Sequence, residues 1–86
     1  MRVNICSPLR SYTGGKAAIE ARADEVWGLL DELEACYPGI RFRIVDQQDR
    51  LRPDLRIFVN SECCNTLQEK LNPTDEVHII AVLSGG

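Results

Sequence analysis

The stretch Val77-His78-Ile79-Ile80-Ala81-Val82 constrains the fold of this sequence more than any other, because it is apolar on both of its faces. Val77, Ile79 and Ala81 alternate with His78, Ile80 and Val82, the period-two pattern of a β-strand. A strand apolar on both faces lies inside a sheet and is covered on both sides. The stretch therefore predicts a central strand, and the rest of the chain has to supply its neighbours.

After Val82 the pattern gives way to Ser84-Gly85-Gly86, which has no bulk, no branching and nothing to pack. Residues 83–86 are expected to form a flexible tail on a single domain spanning 1–86. Two final glycines are weak evidence alone, since a frayed end or a cloning remnant has the same composition. Their place directly after a strand, followed by a free carboxylate, supports a functional reading. Without Cβ atoms, Gly85 and Gly86 behind the small Ser84 can thread extended into a narrow active site of another protein. The reactive group is then the Gly86 carboxylate itself.

Composition narrows the classes. Eighty-six residues, 44% hydrophobic and 27% charged, suit one small domain and are too few for two. Ten basic against 13 acidic residues give a net charge of -3, the wrong balance for nucleic acid. The one basic enrichment, Arg41, Arg43, Arg50, Arg52 and Arg56, reads as a solvated loop face, with an acidic docking partner as the alternative. The N-terminal stretch lacks the apolar core of a signal peptide, and no segment approaches the ~18 apolar residues of a membrane span. A cytoplasmic protein without membrane contact is expected.

Cys6, Cys36, Cys63 and Cys64 lack both a disulfide-framework pattern and the C-x-x-C spacing of a zinc site, so they read as reduced structural thiols and no metal site is expected. Cys63 and Cys64, if extended, point to opposite faces. The lone histidine, His78, sits in a strand and reads as a half-buried sheet residue. Gly15-Lys16 is no phosphate loop, because Arg10 and Ala17 stand where that motif needs glycine and a hydroxyl. With no base–nucleophile pair in view, the chain reads as a substrate of enzymes rather than an enzyme, with no bound cofactor.

In chain order, Val3 to Cys6 predicts a first strand ended by Pro8, and Thr13-Gly14-Gly15 turns the chain into a second strand over Ala17–Ala21. Asp24 is the expected N-cap of a helix ending near Cys36, before Pro38 and Gly39. Val26, Leu29, Leu30, Leu33 and Tyr37 form its single apolar stripe, which needs a sheet to cover. Residues 38–54 predict a short strand or irregular turns, with Ile40, Phe42 and Ile44 alternating with Arg41, Arg43 and Val45. A strand over Leu55–Asn60 follows, then a very short one at Cys63-Cys64, a helical turn over Leu67–Leu71, and the final strand. Pairing the first strand parallel to the last gives an α+β β-grasp, a ubiquitin-like mixed sheet of four to five strands with one main helix on one face.

With those pieces in order, the sequence resembles the MoaD/ThiS family of ubiquitin-like sulfur carriers over essentially its whole length. The resemblance rests on the first strand running into Leu9-Arg10, on Thr13-Gly14-Gly15, Tyr37-Pro38-Gly39, Ile57-Phe58-Val59-Asn60 and Asp75-Glu76-Val77, and on the final Gly85-Gly86. It implies that a ubiquitin-activating-like adenylating enzyme uses ATP to join the Gly86 carboxylate to AMP. A sulfur donor then makes a thiocarboxylate, which passes its sulfur to an acceptor synthase subunit or another sulfur-accepting enzyme. The spacing from Tyr37 to Leu55 resembles carriers of the CysO kind, which serve cysteine biosynthesis; molybdopterin is the other pathway considered. One departure is that Ala81-Val82-Leu83-Ser84 lacks the proline that family members often carry there.

Two further readings stand beside the sulfur carrier: a ubiquitin-like modifier joined to protein lysines, and a β-grasp binding module whose glycines are incidental. Phe58, Ile80, Val82 and Leu83 are the expected partner-binding residues, on the sheet face away from the helix. The opposing expectation is that residues 40–54 cover that face. Cys63 and Cys64 are not expected to carry the sulfur, since neither has a neighbouring base in sequence and Glu62 opposes a thiolate.

Overall fold

The computed structural model describes residues 1–82; the expected tail of Leu83, Ser84, Gly85 and Gly86 lies outside the described residues. The last strand takes the central place its pattern calls for. Strand β1 (Arg2–Ile5) pairs antiparallel with β2 (Ala18–Glu20), and the two are joined through a short 3-10 turn at Ser7–Leu9 and the Thr13-Gly14-Gly15 loop. After helices α1 (Val26–Cys36) and α2 (Ile40–Ile44) come β3 (Leu55–Val59), β4 (Glu62–Cys63) and β5 (Glu76–Ala81). β5 is parallel to β1 and antiparallel to β3, and the sheet order is β2-β1-β5-β3-β4. This is the β-grasp arrangement, a mixed five-stranded sheet with one main helix.

The core is built by alternation. Val3 and Ile5 of β1, Ile57 of β3, and Val77 and Ile79 of β5 are all buried, and they face Val26, Leu29, Leu30 and Leu33 of α1. Gly14 and Gly15 have φ of 66° and 87°, left-handed values that glycine adopts without steric cost. The loop they close is held by Thr13, buried with its hydroxyl 2.8 Å from the Lys16 carbonyl oxygen, and by the Gly15 N–H, which donates to the Arg10 carbonyl at 2.7 Å.

The start of α1 differs from the expectation. Glu25, not Asp24, is the N-cap residue, and no side chain caps the helix. The first free N–H groups instead donate to carbonyls of the loop before β5: Val26 to Glu69 at 3.0 Å and Trp27 to Leu67 at 2.8 Å, while Leu71 donates back to the Asp24 carbonyl. A helix terminus needs partners for its free N–H groups, and here distant backbone provides them in place of a local side chain. That role holds residues 67–71 largely extended, with only a turn at 67–68 where a helical turn is expected.

Within residues 38–54, the irregular turns expected are found after Val45, but Ile40–Ile44 is a helix. Ile40 and Ile44 are one helical turn apart on the buried side of α2, and Val45 is buried beside them, so the spacing that reads as strand alternation belongs to a helix. Gly39 permits the entry. Its φ is 97°, and a Cβ there would stand 3.2 Å from Tyr12 Cε1. The Glu34 carboxylate, reaching from α1, accepts from the N–H groups of Gly39 (2.9 Å) and Arg41 (3.0 Å) and so caps α2. Those two backbone donors, aided by the Arg41 charge, hold the Glu34 carboxyl below its ordinary range.

Because the 40–54 segment packs on the helix side, it does not cover the far face of the sheet, which among the described residues carries only its own side chains. β5 is central, yet it is covered on one face only, contrary to the reading of its pattern.

Two measurements check this packing. Leu30→Ala, at a fully buried position, is expected to lower unfolding free energy by about 2–5 kcal/mol in urea titrations; a loss under about 1 kcal/mol contradicts the packing described. Glu34→Gln is expected to melt below the parent at neutral pH. A carboxyl whose folded pKa is depressed stabilises above its unfolded pKa and loses that contribution as pH falls through the folded value. The gap in melting temperature therefore closes on acidification below 4.5, and a gap independent of pH contradicts the cap.

Candidate functional site

Two surfaces meet at the end of β5. The first is the open face of the sheet, where register sets Ala18, Asn4, His78, Phe58 and Cys63 in one row across all five strands. Beside that row Ile80 lies opposite Arg56. Ile80 is 40% exposed, one of two large apolar side chains left exposed among the described residues, and Phe58 is half-buried. The Asn4 amide donates to Glu76 at 2.7 Å and lies 3.1 Å from His78 Nδ1, which accepts in that arrangement. His78 is thus a half-buried sheet residue, as its place in the strand predicts. The open face is polar along β1 and apolar toward Phe58 and Ile80, which suits docking on a partner with a matching apolar patch.

The second surface is a groove at the root of the chain's last segment. Val82 N–H donates to the Asp54 carbonyl at 2.9 Å, the last backbone anchor among the described residues. Val82 lines this groove with Pro8, Phe42, Arg52 and Leu55. Phe42 is the site residue that the sequence analysis misses. It is 52% exposed, and the Arg52 guanidinium lies over its ring at 4.5 Å from the centroid while Arg52 Nε donates to the Phe42 carbonyl. The signal was available in Ile40 and Ile44, whose helical spacing turns Phe42 outward. Leu83, Ser84, Gly85 and Gly86 follow Val82 but lie outside the described residues.

The cysteines divide by environment. Cys36 and Cys63 are exposed, Cys6 is half-buried, and Cys64 is buried with its Sγ 3.0 Å from the Thr66 carbonyl oxygen. Cys63 and Cys64 do face opposite ways. Burial pushes the Cys6 and Cys64 thiols up, which keeps them protonated and poorly nucleophilic. No group of three or more His, Cys, Asp or Glu side chains among the described residues is placed to hold a metal ion. No helix among them is long and apolar enough to cross a membrane.

A family model described as the ThiS family matches residues 3–86. The chain belongs to the ThiS family. It is 32% identical to the sulfur carrier protein CysO of Mycobacterium tuberculosis, in an alignment covering 98% of this chain and 96% of that protein. The crystal structure of M. tuberculosis CysO superposes with a TM-score of 0.89 at 30% identity, covering 95% of this chain and 98% of that one. A chain in the crystal structure of the Amycolatopsis orientalis BexX/CysO complex gives the same TM-score at 28% identity, covering 99% and 98%. SAMP1 from Haloferax volcanii, at 23% identity and a TM-score of 0.76 over all of this chain and 98% of its own, shares the fold. As a ThiS-family sulfur carrier of the CysO type, the chain is a carrier protein and not a catalyst, and the A. orientalis complex shows a carrier of this type engaged with another protein.

The thiol environments give a direct check. Timed alkylation of the native protein should label Cys36 and Cys63 first, Cys6 more slowly, and Cys64 only on unfolding. Labelling of Cys64 at the rate of Cys63 contradicts its burial.

Proposed function

We propose that the Gly86 carboxylate of this ThiS-family carrier is adenylated by a partner enzyme and then carries sulfur as a thiocarboxylate. The observation that carries this reading is the family match itself, which runs through residue 86 and so includes the diglycine. The anchoring of Val82 on Asp54 supports it. Beyond that hydrogen bond the four residues 83–86 reach at most about 14 Å when extended, so the partner's active site has to come close to the Val82 groove.

A free carboxylate is a poor electrophile. Attack of its oxygen on the α-phosphorus of ATP expels pyrophosphate and leaves an acyl-adenylate with AMP as a good leaving group. Sulfur at the sulfide level, delivered as hydrosulfide, then attacks the Gly86 carbonyl carbon and displaces AMP, leaving a thiocarboxylate. ATP belongs to the partner's site and no cofactor resides on the carrier. An acceptor enzyme takes the sulfur, and the relatedness to CysO favours cysteine biosynthesis over molybdopterin. The open sheet face offers Phe58 and Ile80 as anchors for these partners, with Val82 and Leu83 leading into the cleft and Ser84 and Gly85 supplying the narrow approach.

Pyrophosphate exchange with the cognate activating enzyme, run beside a thermal melt of each variant, tests this. Truncation after Gly85 shortens the reach by about 3.3–3.6 Å, a large displacement for a reacting centre. That variant, and one extended by a residue past Gly86, are expected to melt like the parent and to lose exchange. Gly85→Val adds β-branched bulk in the approach and is expected to cut exchange at least about tenfold, with Ile80→Asp raising KM for the carrier more than it lowers kcat. Parent-level exchange by the truncated or extended chains removes Gly86 as the reactive group.

A further inference from the structure

The basic enrichment at residues 41–56 touches the Val82 groove only through Arg43 and Arg52, yet the structure gathers most of it around a second groove. The loop before β3 and the loop after β4 enclose a space of 670 Å³ against the first turn of α1. Its apolar lining is Trp27, Leu51 and Leu67, and its charged lining includes Arg50, Arg52 and Arg56. Trp27 is half-buried, so part of its ring faces the groove.

Arg41 engages two of the acidic groups nearby, and a third, Asp46, accepts from the Gln48 and Arg50 N–H groups. Arg41 pairs with Asp31 at 3.2 Å and with Asp49 at 3.0 Å and lies 5.1 Å from the Trp27 ring centroid. Asp49, the carboxylate of the groove lining, is therefore already engaged. Arg50, Arg52 and Arg56 form no ion pair within 4.0 Å among the described residues. Arg52 donates through Nε to Phe42 and Arg56 through Nη1 to the Pro53 and Leu55 carbonyls. A guanidinium has five N–H donors, so each keeps several free for a ligand. On a chain of net charge -3, this is a concentrated basic surface built beside an aromatic floor.

The site is unsuited to phosphate. A phosphate cradle uses a run of free backbone N–H groups, commonly in a glycine loop or at a helix N-terminus. No glycine lines this groove, and the Val26 and Trp27 N–H groups at the start of α1 are already bonded to the Glu69 and Leu67 carbonyls. The three arginines come from two elements, the loop before β3 and β3 itself, and do not share one backbone nest. Carboxylates repeated along an extended chain suit such a spread, since alternate side chains of a strand lie about 7 Å apart on one side.

We propose that this groove docks an extended, acidic peptide segment of a partner protein, its apolar side chains on Trp27, Leu51 and Leu67 and its carboxylates on Arg50, Arg52 and Arg56. It is a second contact centred on Trp27, which shares Arg52 with the Phe42 groove and Arg56 with the margin of the open sheet face. The inference does not depend on the adenylation of Gly86.

Trp27 is the only tryptophan, so its emission reports on the groove directly. The full chain is titrated with a capped five-residue peptide alternating glutamate and leucine, with the same peptide carrying glutamine for glutamate, and with inorganic phosphate. The acidic peptide is expected to change Trp27 emission saturably, and the glutamine peptide to bind at least tenfold more weakly. Arg50 makes no side-chain hydrogen bond among the described residues, so Arg50→Glu is expected to keep the parent melting temperature while weakening the acidic peptide at least tenfold. Raised salt weakens binding of the acidic peptide as exposed charges are screened. Equal binding of both peptides, absence of saturation, or no effect of Arg50→Glu in a folded protein overturns the proposal. Phosphate binding tighter than the peptide makes the groove a small-anion site and overturns it equally.

Discussion

The pairing of β5 with β1 on one side and β3 on the other is the constraint from which the rest follows. It joins the last strand to the first in parallel and makes the sheet continuous through its middle. Val77 and Ile79 then enter the core opposite α1, and the chain leaves the sheet at Val82 beside the loop that precedes β3. The proposed reactive tail needs a fixed root. Here the root is the best-supported strand of the sheet, held on both edges.

The same pairing sets out the two surfaces proposed for partner contact. The layer of α1 and α2 covers one face and leaves the other to its own side chains, so Phe58 and Ile80 present apolar surface at no cost to the core. At the end of β5, Phe42, Arg52 and Val82 form a separate rim around the root of the tail. The two surfaces adjoin, and a partner that receives the tail is placed to touch both.

Much of this architecture was legible because the apolar periods are clean. Val26, Leu29, Leu30 and Leu33 gave the helix, Leu55, Ile57 and Val59 gave β3, and Gly14-Gly15 gave a turn that the left-handed φ values explain. The start of α1 was not legible, since its partners are the backbone carbonyls of Leu67 and Glu69, some forty residues away, and carbonyls leave no trace in side-chain identity. Residues 40–44 misled for another reason: in five residues, apolar positions at 40, 42 and 44 fit a strand as well as a helix turn, and only Gly39 with the distant Glu34 cap decides between them. The assignment of Phe58 and Ile80 to the open face followed from alternation alone. The Val82 bond to Asp54 continues the register that pairs Ile80 with Arg56, and Val82 also lines the groove beside Phe42.

The central claim is that the Gly86 carboxylate exchanges an oxygen for sulfur. Intact-mass measurement of the protein from its native host, followed by fragmentation, tests it most directly. The account predicts a species heavier by the difference between one sulfur and one oxygen, with the change confined to the fragment ending in Gly86 and lost on treatment with a thiol-specific alkylator in favour of the corresponding thioester. A sulfur gain located on a cysteine, with the Gly86 fragment unchanged, would contradict it.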